Sequence, residues 1–114
     1  MVATYEDANI LIQTMRWGTE MGLNDAMAAI FDEAFDPETA PMDNPSVRIV
    51  LFYGETVGAL VKNDVLNRDL LLDIFWADGV WPRVSRHALA AREQAGDARL
   101  YEHFEALVAN SATK

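Results

Sequence analysis

Residues 47–76, VRIVLFYGETVGALVKNDVLNRDLLLDIFW, commit the chain to a helical core built around one apolar helix. Val47, Val50, Leu51, Val57 and Val61 recur at helical spacing on one side, and Ile49, Tyr53 and Leu60 cover much of another. Arg48, Glu55 and Lys62, seven residues apart, form its polar stripe. A helix this apolar around its circumference is buried on most sides. Gly54 and Gly58 lie on it one turn apart. Each glycine costs about 0.8–1 kcal/mol relative to alanine inside a helix. The expected compensation is another helix crossing close over both glycines.

The flanking signals extend this hairpin into an all-α fold, a compact single-domain bundle of five to six helices over residues 1–114. Thr4 with Asp7 reads as a capping box opening the first helix, whose apolar side is Ile10, Leu11 and Met15. Gly18 is expected to end it. Thr19 or Asn24 caps a second helix running to Phe35. Residues 36–46, DPETAPMDNPS, hold three prolines and form the one clear loop. Asn44 and Pro45 open the central helix as N-cap and first helical residue. Asn63 and Asp64 break it, Val65 and Leu66 tuck into the core, and Asn67 caps the next helix. Asp78 and Gly79 end that one, and Pro82 falls in the first turn of a fifth. Gly96 stops the fifth helix, and Asp97 caps a last one with Phe104, Leu107 and Val108 on its buried side. Residues 110–114 read as a frayed tail.

Charge narrows the function. Nine basic and eighteen acidic residues give a net charge of −9. Nucleic acids and anionic membranes are bound by displacing counterions with Lys and Arg, so neither is an expected partner. The chain has no cysteine, which excludes disulfides and thiolate zinc sites. The weakly charged run between Arg48 and Lys62 is too short to span a hydrocarbon core of roughly 30 Å. The first residues lack the basic and small-residue pattern of a signal peptide, which places the protein in the cytoplasm. Between Arg16 and Arg48 every charge is acidic, whereas Arg83, Arg86 and Arg92 face only Glu93. Either these are two solvated faces, or the acidic region meets the Arg-bearing helix, within one chain or across a dimer.

The central hairpin also carries a family resemblance. The run Tyr53-Gly54-Glu55-Thr56-Val57-Gly58-Ala59-Leu60-Val61 is followed by a polar turn and by Asn67-Arg68-Asp69-Leu70. Trp81-Pro82 and Asp97-Ala98-Arg99-Leu100-Tyr101-Glu102-His103-Phe104 come later. These residues resemble the bacterial domain of unknown function (DUF) family 4760, chiefly over residues 44–108. The resemblance implies an all-helical domain with no assigned activity and supplies no catalytic residue. Many members look membrane-tethered through an N-terminal helix, a property this sequence is not expected to share.

Few residues invite chemistry. Glu55, on a mostly buried helix, is either a perturbed carboxylate able to act as a base or a structural group paired with Arg48 or Lys62, or with a Tyr or Trp. Glu55 with Tyr53, Trp76 and Trp81 makes the candidate ligand pocket. Trp17, Arg83, Arg86 and Arg92 are the interface candidates, because tryptophans near helix ends are hard to bury within one chain. His87 and His103 have no ligand-spaced partner and read as surface or rim residues. The acidic 32–43 stretch lacks the oxygen alternation and glycine of a calcium loop. No nucleophile elbow or phosphate loop occurs, so no catalytic residue, metal or cofactor is assigned. The leading expectation is a non-enzymatic interaction module, a homodimer or a binder of another protein. The alternative is a small-molecule-binding or enzymatic domain using Glu55 and the aromatics.

Overall fold

Helix boundaries follow the local capping chemistry, with four shifts. The computed structural model describes residues 2–111, with side chains placed through residue 108. Helix α1 (Tyr5–Met21) opens with the expected capping box. Thr4 Oγ1 accepts from the Asp7 N–H at 3.1 Å, and Asp7 Oδ2 accepts from the Thr4 N–H at 2.8 Å. Gly18 does not end this helix. It is buried inside it against Tyr53, and Gly22, at φ 91°, supplies the left-handed residue that stops the turn.

Helix α2 (Leu23–Ile30) is shorter than expected and stops before Phe31 rather than at Phe35. Arg83 Nε takes the carbonyl of Ile30 at 2.8 Å, and Arg83 Nη2 takes that of Phe35 at 3.2 Å. Side-chain donors thus stand in for further helical N–H groups, and residues 31–44 run as a loop.

Helix α3 (Pro45–Lys62) begins as expected, with Asn44 Oδ1 accepting from the Val47 N–H at 3.1 Å. It ends where Asp64 takes φ 61°, which sends the Val65 N–H back to the Leu60 carbonyl. Leu66 is buried, but Val65 stays exposed, contrary to its expected place in the core. Helix α4 (Arg68–Ile74) carries the expected Asn67 cap on the Leu70 N–H at 2.9 Å. Extended Phe75 closes it early, so Asp78 and Gly79 belong to the first turn of helix α5 (Ala77–Ala95) instead of ending α4. Pro82 therefore lies one turn further in than expected and removes one i→i−4 bond.

Helix α6 (Glu102–Ser111) starts after a short turn from Gly96. It includes residues 110 and 111, where fraying was expected; residues 112–114 lie outside the described residues. The result is an all-α single domain. Helix α3 runs through its centre and packs most heavily on α2 and α6, around Val47, Val50, Val57, Leu71, Val80, Val84 and Phe104. Among the described residues no helix is long and apolar enough to cross a membrane.

Candidate functional site

The two glycines of α3 form a seat for the start of α6. A Cβ on Gly54 would enter the Phe104 ring, and one on Gly58 would meet the His103 carbonyl. Between them, Glu55 Oε1 accepts from the N–H groups of His103 and Phe104, each at 3.0 Å. These are the second and third residues of α6, whose N–H groups have no partner within the helix. A carboxylate there also meets the positive end of the helix dipole. Glu55 therefore caps α6 from a neighbouring helix, in place of the expected pairing with Arg48, Lys62, Tyr or Trp. Asp97, the expected local cap, instead accepts from the Arg99 N–H at 2.9 Å in the preceding turn.

The aromatic residues divide into an inner and an outer set. Inside, Tyr53 meets Phe75 at 5.6 Å between ring centres, Phe75 meets Phe104 at 5.7 Å, and Phe104 meets Trp81 at 5.0 Å. All four are buried. Burial raises the Tyr53 phenol above its ordinary pKa, opposed by a hydrogen bond with the Thr14 hydroxyl. Tyr53 and Trp81 thus join Phe75 and Phe104 in filled core rather than lining a cavity, and half-buried Glu55 adjoins them at the Phe104 N–H. Trp17 stacks on Tyr53 and is half-buried, while Trp81 is buried within the chain despite its place near a helix end.

Trp76 stands apart. Its side is 66% exposed, its indole lies over Gly79, and it stacks on Phe31 at 6.0 Å and 12°. The Arg83 guanidinium sits 5.7 Å from the Phe31 ring and 5.4 Å from that of Phe35. Trp76, Phe31, Arg83 and Phe35 form one continuous stack, with the guanidinium against both phenylalanine rings.

The Arg-bearing helix does meet the acidic region within one chain, mainly through carbonyls. Beyond the contacts of Arg83, Arg86 Nη1 donates to the Pro37 carbonyl at 3.3 Å and lies 3.9 Å from Glu38. His87, buried rather than at the rim, faces the carbonyls of Ala40 and Pro41 through Nε2 at 3.1 and 3.2 Å. Its Nδ1 has no partner. Arg92 holds the Leu100 carbonyl at 2.6 Å and Glu105 at 2.9 Å. All three arginines proposed for an interface are engaged within their own chain.

Among the clefts formed by the described residues two stand out, both open, and neither is lined by Glu55. The first, about 520 Å³, lies at the junction of Thr4, Asp7, Asn67 and Arg68. There Asp7 Oδ1 accepts from the Asn67 N–H at 2.8 Å and ties α1 to the cap of α4. Bonds from the Thr4 backbone, then from the Asn67 backbone and the Thr4 hydroxyl, hold the Asp7 carboxyl below its ordinary 3.8 against an opposing desolvation. The second, about 410 Å³, is a mainly apolar groove of Met21, Pro45, Arg48, Ile49, Phe52 and Tyr101. The sequence pattern did not single it out. Phe52, a large apolar residue left exposed on the mostly apolar α3, is the feature that points to it. Among the described residues no group of three His, Cys, Asp or Glu side chains is placed to hold a metal ion.

These features define an all-helical domain whose polar side chains largely serve caps and loop anchors. The chain belongs to the family Domain of unknown function (DUF4760), whose model matches residues 2–111. The match takes in the first two helices, beyond the 44–108 region whose motifs chiefly carry the resemblance. No curated protein and no solved structure matches the chain.

Proposed function

We propose that the chain is a non-enzymatic interaction module that forms a homodimer through the Trp76–Phe31 face. The exposure of a fixed tryptophan carries this reading. Trp76 is held by stacking on Phe31 and by its seat on Gly79, so little side-chain freedom remains to be lost when a partner covers it. Phe31 and Ile74 are also exposed, and together they supply the aromatic and aliphatic anchors around which interface energy concentrates. An isologous two-fold contact would cover the same patch on both copies. The anchors are thus Trp76, Phe31 and Ile74 in place of Arg83, Arg86 and Arg92, which are bonded within the chain. We place the protein in the cytoplasm.

The alternative reading, a pocket built on Glu55, Tyr53, Trp76 and Trp81, draws no support from the geometry. Tyr53 and Trp81 are buried in filled core, Trp76 points elsewhere, and Glu55 is engaged by α6. Sedimentation velocity separates the surfaces. Trp76→Ala is expected to shift the protein to monomer, while Leu89→Ala, at an exposed site on α5, leaves the dimer intact. Loss of dimer in neither variant would remove the Trp76 face from the account.

A further inference from the structure

The groove between the end of α1, the first half of α3 and Tyr101 carries a second proposal, independent of the dimer. Its floor is apolar: Met21, Pro45, Ile49 and Phe52, with Phe52 58% exposed. Two polar groups border it. Among the described residues, Arg48 and Lys62 are the basic side chains that make no hydrogen bond or ion pair; Arg16, Arg68, Arg83, Arg86, Arg92 and Arg99 all make one. In a chain of net charge −9, a cation left unpaired beside exposed apolar surface is a local exception. Tyr101 is the second group. It takes φ 60°, a conformation that bulky residues avoid, at the turn into α6, and it lines the groove.

We infer that this groove receives an amphipathic helix of a partner protein, whose apolar side covers Ile49 and Phe52 and whose acidic side chain pairs with Arg48 at the border of the groove. The openness of the groove selects the occupant. A small ligand is normally enclosed over most of its surface, which an open trough cannot do. A helix needs only one side covered and keeps its polar side in water. The charge selects the rest: a cation at the border, with acidic residues elsewhere on the chain, pairs with one acidic side chain and fixes the register of the helix along the groove.

The test is a charge swap read by amide chemical shifts. Two capped amphipathic peptides are titrated into the isotope-labelled full chain. They share leucines one helical turn apart and differ in a single Glu or Lys beside them. The Glu peptide is expected to move the amides of residues 46–52 and Tyr101 and to bind more tightly than the Lys peptide by up to about fivefold, the upper end for an exposed ion pair. Arg48→Glu should reverse that order. Arg48 is exposed, and circular dichroism of the variant verifies that the fold is kept. Equal affinity of the two peptides, an unchanged order in the variant, or no shift with either peptide would overturn the proposal. Shifts of the same amides by decanoate alone would also overturn it and assign the groove to a small carboxylate. None of these outcomes depends on the oligomeric state.

Discussion

Replacing Glu55 with alanine tests how α6 is held. The substitution removes the acceptor of two backbone N–H groups, each at 3.0 Å, and leaves the site half-buried. A hydrogen bond to a charged group contributes about 1.5–3 kcal/mol net. Here two bonds share one oxygen, and water can reach part of the vacated site, so the sum is well below twice that range. Loss of an ordinary N-cap costs about 0.5–2 kcal/mol. The expected destabilisation for Glu55→Ala is therefore about 2–3 kcal/mol, just above the usual cap range because the bonds also pin Phe104 in the core. With an unfolding entropy of about 2.1 cal/mol/K per residue over 114 residues, that lowers Tm by roughly 8–12 °C. Urea unfolding followed by far-ultraviolet circular dichroism measures it. Glu55→Gln keeps an acceptor and loses the charge, so it should fall short of the alanine loss, near 1 kcal/mol. An alanine variant within about 0.5 kcal/mol of the parent would refute the reasoning, since that is the range of an inconsequential surface change. A glutamine variant as unstable as the alanine one would show that the charge, not the acceptor, matters.

Three further outcomes follow from the same contacts. Gly58→Ala would ordinarily stabilise a helix by about 1 kcal/mol, but here the added methyl meets the His103 carbonyl, so a net loss of about 1–3 kcal/mol is expected by urea titration. The Asp7 carboxyl is held below its ordinary 3.8 in the fold, so its stabilisation is present above that value and is lost as pH falls through the depressed one. Asp7→Asn should accordingly flatten the acid limb of stability against pH, measured as urea midpoints from neutral to strongly acid buffer. Arg83→Gln removes the donors to Ile30 and Phe35, so limited proteolysis should cut within residues 31–44 several-fold faster than in the parent.

Local chemistry was legible in the sequence where one residue determines it. The Thr4–Asp7 box, the Asn44-Pro45 start, the Asn67 cap and the Gly96 stop each act within a turn of chain, and each is observed. The close approach over Gly54 and Gly58 was legible too, because glycine in an apolar helix needs a tertiary reason. What failed depends on partners far along the chain. Gly18 looks like a stop, but Tyr53 packs against it. Gly79 looks like a helix end, but it leaves room for the Trp76 indole. Phe31 to Phe35 continue a helical pattern until Arg83, from another helix, takes the carbonyls that would have extended it. Glu55 was visible as an anomaly, a lone acid between two glycines. Its partners, His103 and Phe104, lie 48 and 49 residues away and leave no periodic trace. The groove at Arg48 was not legible, because it is closed by Tyr101, whose left-handed turn follows no glycine or asparagine signal.

The homodimer is tested most directly by light scattering coupled to size exclusion, at tens of micromolar protein and across a range of salt. The predicted result is a molar mass near twice 12.7 kDa. Because Arg83, Arg86 and Arg92 are bonded within the chain, and each copy carries −9, salt should tighten the dimer by screening repulsion rather than weaken it. Trp76→Ala should elute at the monomer mass. A parent protein that stays at 12.7 kDa at every salt concentration would contradict self-association through the Trp76 face.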